Sequence, residues 1–300
     1  MRKPSEKYVL IFGSICFFLI LSTDKIWHEK KHITRNSSNT VSSVFDNFQN
    51  VNDPVGRVDT AVFWHIPRSA GESMKEILSS CMGFVIVKEK KFDDEDSMND
   101  SLDIIRNDGG NGGGVLNVDT TTPDGIKRAK DQQIIQSHLV DVVFTPLPRE
   151  ASILFDNLHR ARLFTFLREP TERIISIHYH RRLTIASRET LEEFVRSHED
   201  NWMVRSLTGY TSGYIGKRHL NLSKEILKKK FLIGLLDQKT ESLLRFERYF
   251  GWKFSKGANG SCKDDIFYVE WKGRNPHPSL SENGPLMSQI RHRNMWDLEL

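Results

Sequence analysis

The chain alternates short, unbroken apolar runs with longer stretches in which apolar residues return every three or four positions. TAVFWHI (60–66), FVIV (84–87), QIIQSH (133–138), ARLFTFL (161–167) and FLIGLL (231–236) have the length of buried strands. Between the first two, Met74, Ile77, Leu78 and Cys81 fall at i, i+3, i+4 and i+7, the spacing of a helix with one apolar face. Pro170 is placed to open a helix, because the N–H it lacks has no partner in a first turn anyway. Helical patterns also cover 189–198, 223–230, 237–250 and 283–298. Strands alternating with helices in this way predict an α/β domain around a central, mostly parallel sheet flanked by helices.

Three segments stand outside that alternation. Tyr8–Ser22, YVLIFGSICFFLILS, is fifteen residues without a charge, with Arg2, Lys3 and Lys7 before it and Asp24 and Lys25 after it. It is shorter than the ~20 residues that usually span a bilayer, a gap that local thinning and snorkelling by Lys7 and Lys25 would close. It reads as an N-terminal signal-anchor helix (8–22) behind a cytoplasmic tail (1–7), the basic flank holding the N-terminus inside and leaving the rest lumenal. A cleaved signal peptide is one alternative, although no A-x-A-like site follows Ser22, and a buried helix of the fold is the other. Residues 23–58 are polar and aperiodic and read as a stem, which leaves 59–300 as the folded domain. Within it, residues 88–130 carry KEKKFDDED and GGNGGG and read as an exposed, polar, Gly-rich insertion.

Composition narrows the partners. With 38% hydrophobic and 27% charged residues the bulk of the chain is globular. A net charge of +4, from 43 Lys and Arg against 39 Asp and Glu, lacks the dense cationic surface of a nucleic-acid binder. Cys16 lies in the apolar run, so Cys81 and Cys262 remain; they form a disulfide in an oxidising lumen or stay as two buried thiols. Sequons at Asn36, Asn99, Asn221 and Asn259 are compatible with a glycosylated, lumenal domain.

The chemistry concentrates at two strand-to-helix turns. In His65-Ile66-Pro67-Arg68-Ser69-Ala70-Gly71-Glu72-Ser73 a helix start offers backbone N–H groups and its positive end to an anion. Arg68 adds a cation, Ser69 and Ser73 add hydroxyls, and Gly71 lets a ligand approach the backbone. The Walker A spacing is absent. In Leu167-Arg168-Glu169-Pro170-Thr171-Glu172-Arg173-Ile174-Ile175-Ser176, Arg168 ends a strand and Ser176 sits two turns into the following helix, so the pair can grip one phosphate.

Together, in this order and about 100 residues apart, the two motifs resemble the donor-binding signatures of the Golgi carbohydrate sulfotransferases, closest to the heparan sulfate and uronosyl O-sulfotransferases. IGLLDQKTESLLRFERYFGW (233–252) and the closing RNMWDLEL extend the likeness over roughly 59–300. The resemblance implies a P-loop-like domain, a Golgi membrane address with the anchor in the bilayer, and sulfuryl transfer from 3′-phosphoadenosine 5′-phosphosulfate to a hydroxyl of a glycan or glycosaminoglycan. It implies that Arg68, Ser69, Ala70, Gly71, Glu72 and Ser73 hold the 5′-phosphosulfate, and that Arg168 and Ser176 hold the 3′-phosphate. Two positions depart from the family pattern. Arg68 stands where a Lys is usual, and a guanidinium can stabilise a leaving phosphate but cannot protonate it. Glu72 stands where a Thr is usual and must point outward, or it would repel the donor.

In-line attack needs a base for the acceptor hydroxyl and, in principle, no metal, since cations and helix ends can hold the charge of the leaving group. His138 ends the run QIIQS, where a strand would deliver it to the carboxyl edge of the sheet, and the resemblance, which often has a His base at this place, implies that it is the base. His65 begins the first loop and can face the cofactor; His178 and His180, on the helix of the second motif, read as structural or acceptor-facing, and Arg181 and Arg182 with His180 either meet an acidic glycan or form a solvated helix face. Arg274, His277 and Ser279 sit in a loop before the last helix, which by the resemblance closes over the nucleotide. Lys228, Lys229 and Lys230 read as solvated. A non-catalytic glycan or donor binder is one alternative. A Golgi glycosyltransferase using Asp94-Glu95-Asp96 and a divalent ion is the other.

Overall fold

The computed structural model describes residues 43–88, 102–106, 113–253, 262–266, 278 and 280–300. Asn47–Leu300 form one compact unit, and the 3-10 turn Ser43–Phe45 belongs to a separate unit before it. The apolar run 8–22, Asp94–Asp96 and the loop residues Arg274, His277 and Ser279 lie outside the described residues. No helix among the described residues is long and apolar enough to cross a membrane.

Among the described residues seven strands form one sheet: β1 (Thr60–Trp64), β2 (Val85–Val87), β3 (Ile104–Arg106), β4 (Gly114–Leu116), β5 (Val142–Thr145), β6 (Ala161–Leu167) and β7 (Phe231–Leu235). Their order is β3-β4-β2-β5-β1-β6-β7. Every neighbouring pair is parallel except β3 with β4, which closes one edge antiparallel. The chain leaves β1 towards β2 on one side and leaves β6 towards β7 on the other. Between β1 and β6 the winding therefore reverses, and the carboxyl ends at such a reversal form a crevice where α/β sheets bind ligands.

The central strands are continuous apolar runs because both faces are covered. On one face Ala61, Phe63, Val142, Phe144, Phe164 and Phe166 pack against α1 (Gly71–Glu76), its π-helical extension Ile77–Cys81, and Leu243 and Phe246 of α8 (Lys239–Phe250). Phe164 meets Phe63 edge-on at 5.0 Å and Phe246 at 5.2 Å. By strand alternation Trp64 faces the other side, where it stacks on Trp202 at 5.9 Å. Further helices among the described residues are α2 (Pro123–Asp131), α3 (Pro148–Ala151), α4 (Pro170–Thr184), α5 (Leu191–Ser197), α6 (Trp202–Thr208), α7 (Lys217–Lys230), α9 (Pro285–Arg293) and α10 (Met295–Leu298).

Three expectations need correction. Residues 47–58, read as the end of a stem, belong to the folded unit. Phe48 is fully buried and bridges Ala161. The guanidinium of Arg162 donates to the carbonyls of Asn50 at 2.9 Å, Asp53 at 2.7 Å and Pro54, and to the Asp59 carboxylate at 2.7 Å. Backbone carbonyls that satisfy a buried arginine leave no trace in side-chain hydropathy. Of the region 88–130, read as an exposed insertion, residues 89–101 and 107–112 lie outside the described residues, and the rest contributes β3, β4 and most of α2, with Leu116, Val118, Thr120 and Ile126 buried.

The third correction concerns QIIQSH, which is not a strand. Gln133 and His138 have left-handed φ of 53° and 54°, and the Ser137 and His138 N–H groups bond back to Gln133 and Ile135 in turns. Ile134 and Ile135 are buried, but from a turn. The strand in this region is β5, Val142–Thr145.

Cys81, at the end of the helical stretch behind the first motif, forms a disulfide with Cys262, the Cα atoms 5.9 Å apart. The bond joins residues 181 apart in sequence, so it removes much of the freedom of the unfolded chain. Replacing Cys262 with Ala should lower unfolding stability by ~2–5 kcal/mol. Denaturant melts of the wild type with and without reductant, beside the variant, check this. Reductant should bring the wild type down to the level of the variant.

Candidate functional site

The loop after β1 and the loop after β6 meet at the winding reversal. In the first, the Ser69 N–H bonds to the Ile66 carbonyl at 3.2 Å, and Arg68 and Ala70 take left-handed φ of 64° and 60°. Two left-handed residues without a glycine are a conformational cost, held here because Ile66 and Ser69 on either side of Arg68 are fully buried. The turn delivers the chain into α1, whose first N–H groups have no acceptor within the helix. Gly71 is buried under His65, and a Cβ there would collide with the imidazole.

In the second loop, Glu169 caps α4 by accepting from the Glu172 N–H at 2.7 Å, and Pro170 takes the first helical position. This sets the direction in which Arg168 leaves β6. Its Nη1 donates to the Arg68 carbonyl at 3.1 Å, and its Nη2 lies 3.7 Å from Glu172. Arg68 Nε in turn donates to Ser176 Oγ, on α4, at 3.2 Å. The two arginines and the buried Ser176 thus form one hydrogen-bonded group contributed by both loops.

Two further hydroxyls lie on the first loop and at the start of α1. Ser69 and Ser73 are buried, and their hydroxyls have no hydrogen-bond partner among the described residues. A buried hydroxyl left unpaired is costly unless a ligand supplies the partner. Burial lowers the pKa of Arg168, with Arg68 adding to the effect and Glu172 opposing it. Two guanidiniums held this close repel, and a bound anion would relieve them. Glu72 is exposed, and its carboxylate accepts from the buried Lys75 ammonium at 2.7 Å, so its charge is neutralised beside the loop.

The residues expected at the first turn, Arg68 to Ser73, therefore lie together with Arg168 and Ser176. His138 does not. It precedes β5, and its exposed ring lies 5.8 Å from that of His159, just before β6. That is the amino edge of the sheet, about 20 Å of strand from the arginines. The expectation of a base there rested on the family resemblance and on reading 133–138 as a strand, and with the strand at Val142–Thr145 His138 lies at the other edge.

The sequence reading also passed over two features of the site. A cleft of about 330 Å³, lined mostly by apolar atoms, opens beside Arg168 between Leu167, Pro170, Met203, Leu235 and Leu236. Asp297 lines it too, in a buried ion pair with Arg173 at 3.6 Å, and accepts from the Met203 and Val204 N–H groups at 3.0 and 2.9 Å. Arg173, whose guanidinium lies 5.5 Å from the Trp202 ring, ties α4 to α6 and α10 under the cleft. Its place in the second motif was the available signal. No group of three His, Cys, Asp or Glu side chains among the described residues is placed to hold a metal ion.

No family model and no curated protein sequence matches this chain. Among solved structures, the crystal structure of a sulfotransferase from Alicyclobacillus acidocaldarius aligns with it at 14% identity and a TM-score of 0.35, covering 81% of this chain and 100% of that one. A TM-score of that size is too low to show a shared fold, and the fold described above stands on its own strand order.

The loop carries a pH signature. Burial, reinforced by Lys75 and Arg68 and opposed by Glu72, lowers the His65 pKa from 6.5 to about 4. The unfolded chain then takes up a proton that the folded chain refuses, so this contribution to stability is full above pH 6.5 and is lost as pH falls towards 4. Denaturant midpoints across that range should decline in the wild type and decline less in His65→Gln. Equal slopes would show that the imidazole does not titrate as its surroundings require.

Proposed function

We propose that this chain transfers a sulfuryl group from 3′-phosphoadenosine 5′-phosphosulfate to a hydroxyl of a glycan. The observation that carries this reading is the convergence of two βα turns into one cationic, hydrogen-bonded group, with Arg68 on Ser176 and Arg168 on the Arg68 carbonyl. A donor with phosphate groups at both ends of its ribose suits two such turns side by side. The loop Arg68–Ser73, with its two unpaired buried hydroxyls, would hold the 5′-phosphosulfate. Arg168 and Ser176 would hold the 3′-phosphate. The apolar cleft beside Arg168 offers a dry surface for the adenine.

In the reaction the acceptor oxygen bonds to sulfur while the sulfur–oxygen bond to the 5′-phosphate breaks, and negative charge builds on the leaving oxygen. Arg68 is the cation on the loop that faces this charge. It stabilises the charge without donating a proton, because a guanidinium keeps its protons at any working pH. The apolar segment 8–22 would anchor the enzyme in the Golgi membrane with the domain lumenal, where the oxidising environment suits the Cys81–Cys262 bond. The partners of this reading are thus a glycan or glycosaminoglycan acceptor and the bilayer, without nucleic acid.

Incubation of the full chain with ³⁵S-labelled donor and a panel of glycosaminoglycans should place label on at least one polymer. Arg168→Ala should weaken binding of adenosine 3′,5′-bisphosphate by about 10-fold or more, the loss of a charged hydrogen-bond donor. Calorimetric titration measures it, and unchanged affinity would remove Arg168 from the 3′-phosphate site.

A further inference from the structure

With His138 on the far edge of the sheet, the proposed reaction lacks a group to take the proton of the acceptor hydroxyl. We propose that His180, on α4, is that base. The inference rests on the sulfuryl-transfer reading above and deepens it.

The placement follows from helix geometry. Residues four apart share a helix face, so His180 lies one turn beyond Ser176 on the same side of α4. Ser176 holds Arg68 at 3.2 Å, so this face of α4 looks onto the loop that would carry the phosphosulfate. His180 is half-buried and therefore open to an incoming acceptor. Among the described residues its ring makes no hydrogen bond, and the bond His180 does make is through its backbone carbonyl, which accepts from Thr184. Two charged groups act on the ring from across the site, Arg68 on the loop and Glu72 at the start of α1. Burial first, then Arg68, lowers its pKa below the ordinary histidine value, so the ring is neutral at pH 7 and carries a lone pair.

The other described side chains near the loop are less suited. His65 is packed over Gly71 and has a pKa of about 4, too weak a base for the task. Glu72 has its carboxylate on Lys75 at 2.7 Å. His178 is buried on another face of α4, against Tyr179 and Phe194. In the assigned step the acceptor O–H proton passes to a ring nitrogen of His180 as the acceptor O–S bond forms. The electron pair of the breaking S–O bond stays on the 5′-phosphate of adenosine 3′,5′-bisphosphate.

The test uses the full chain with His180→Ala and His180→Gln, thermal melts confirming that each folds. A base should cost kcat about 10²–10⁴-fold, while KM for the donor and the affinity for adenosine 3′,5′-bisphosphate stay within threefold of wild type. His180→Gln keeps a polar side chain of similar size, so it should be as slow as His180→Ala; recovery of activity in it would overturn the role. So would a kcat within threefold of wild type in either variant, or parallel losses of kcat and nucleotide affinity, which would mark His180 as structural. If the wild type neither binds the nucleotide nor labels any glycan, the functional reading fails and the base assignment falls with it. Wild-type turnover with active His180 variants overturns the base alone.

Discussion

The side-by-side pairing of β1 with β6 is the constraint on which the rest of the molecule depends. Both strands run the same way, with Phe63 opposite Phe164, so their carboxyl ends share one edge. Thr165 Oγ1 donates to the Trp64 carbonyl at 2.8 Å where β1 ends. The turns that follow must then start as neighbours, although Arg68 and Arg168 are 100 residues apart. Because the chain departs from the two strands in opposite directions, no crossover covers the space between them. The site is a consequence of winding before it is a consequence of side chains.

Two guanidiniums in that space carry an electrostatic penalty, and the surroundings show how it is tolerated. Each arginine is given a neutral or anionic partner: Ser176 for Arg68, and the Arg68 carbonyl and Glu172 for Arg168. The second loop is further braced from below by Arg173 and Asp297, both fully buried in an ion pair. Pairs of this kind add little net stability, but losing one partner leaves a buried charge, at a cost of about 3–5 kcal/mol. That asymmetry makes the Arg173–Asp297 contact a lock on the geometry of α4, and so on the direction of Arg168, Ser176 and His180.

Different parts of the chain were legible to different degrees. ARLFTFL, TAVFWHI and FLIGLL lay over their strands to within two residues because a strand covered on both faces is mostly apolar, with buried Arg162 and Thr165 as exceptions satisfied by hydrogen bonds. Pro170 marked the start of α4 to the residue. QIIQSH misled because burial of Ile134 and Ile135 by a turn leaves the same residue pattern as burial by a strand. VVFT, only four residues long, was passed over for it. That one misplacement carried a candidate catalytic residue to the opposite edge of the sheet. The polar tracts failed for a related reason. β3 and β4 are three residues each, and Asn50, Asp53 and Pro54 contribute backbone carbonyls that residue type does not reveal.

By itself, then, the sequence determined the α/β class, the two strand-to-helix turns and the residue types that make them cationic. These are local properties, written in apolar periodicity, proline placement and charge. Only the tertiary structure decided that His138 lies across the sheet from the arginines, that Cys81 reaches Cys262, and that residues 47–58 belong to the fold. Those facts depend on strand order and on contacts between residues about 100 or more apart, and no local pattern carries that information.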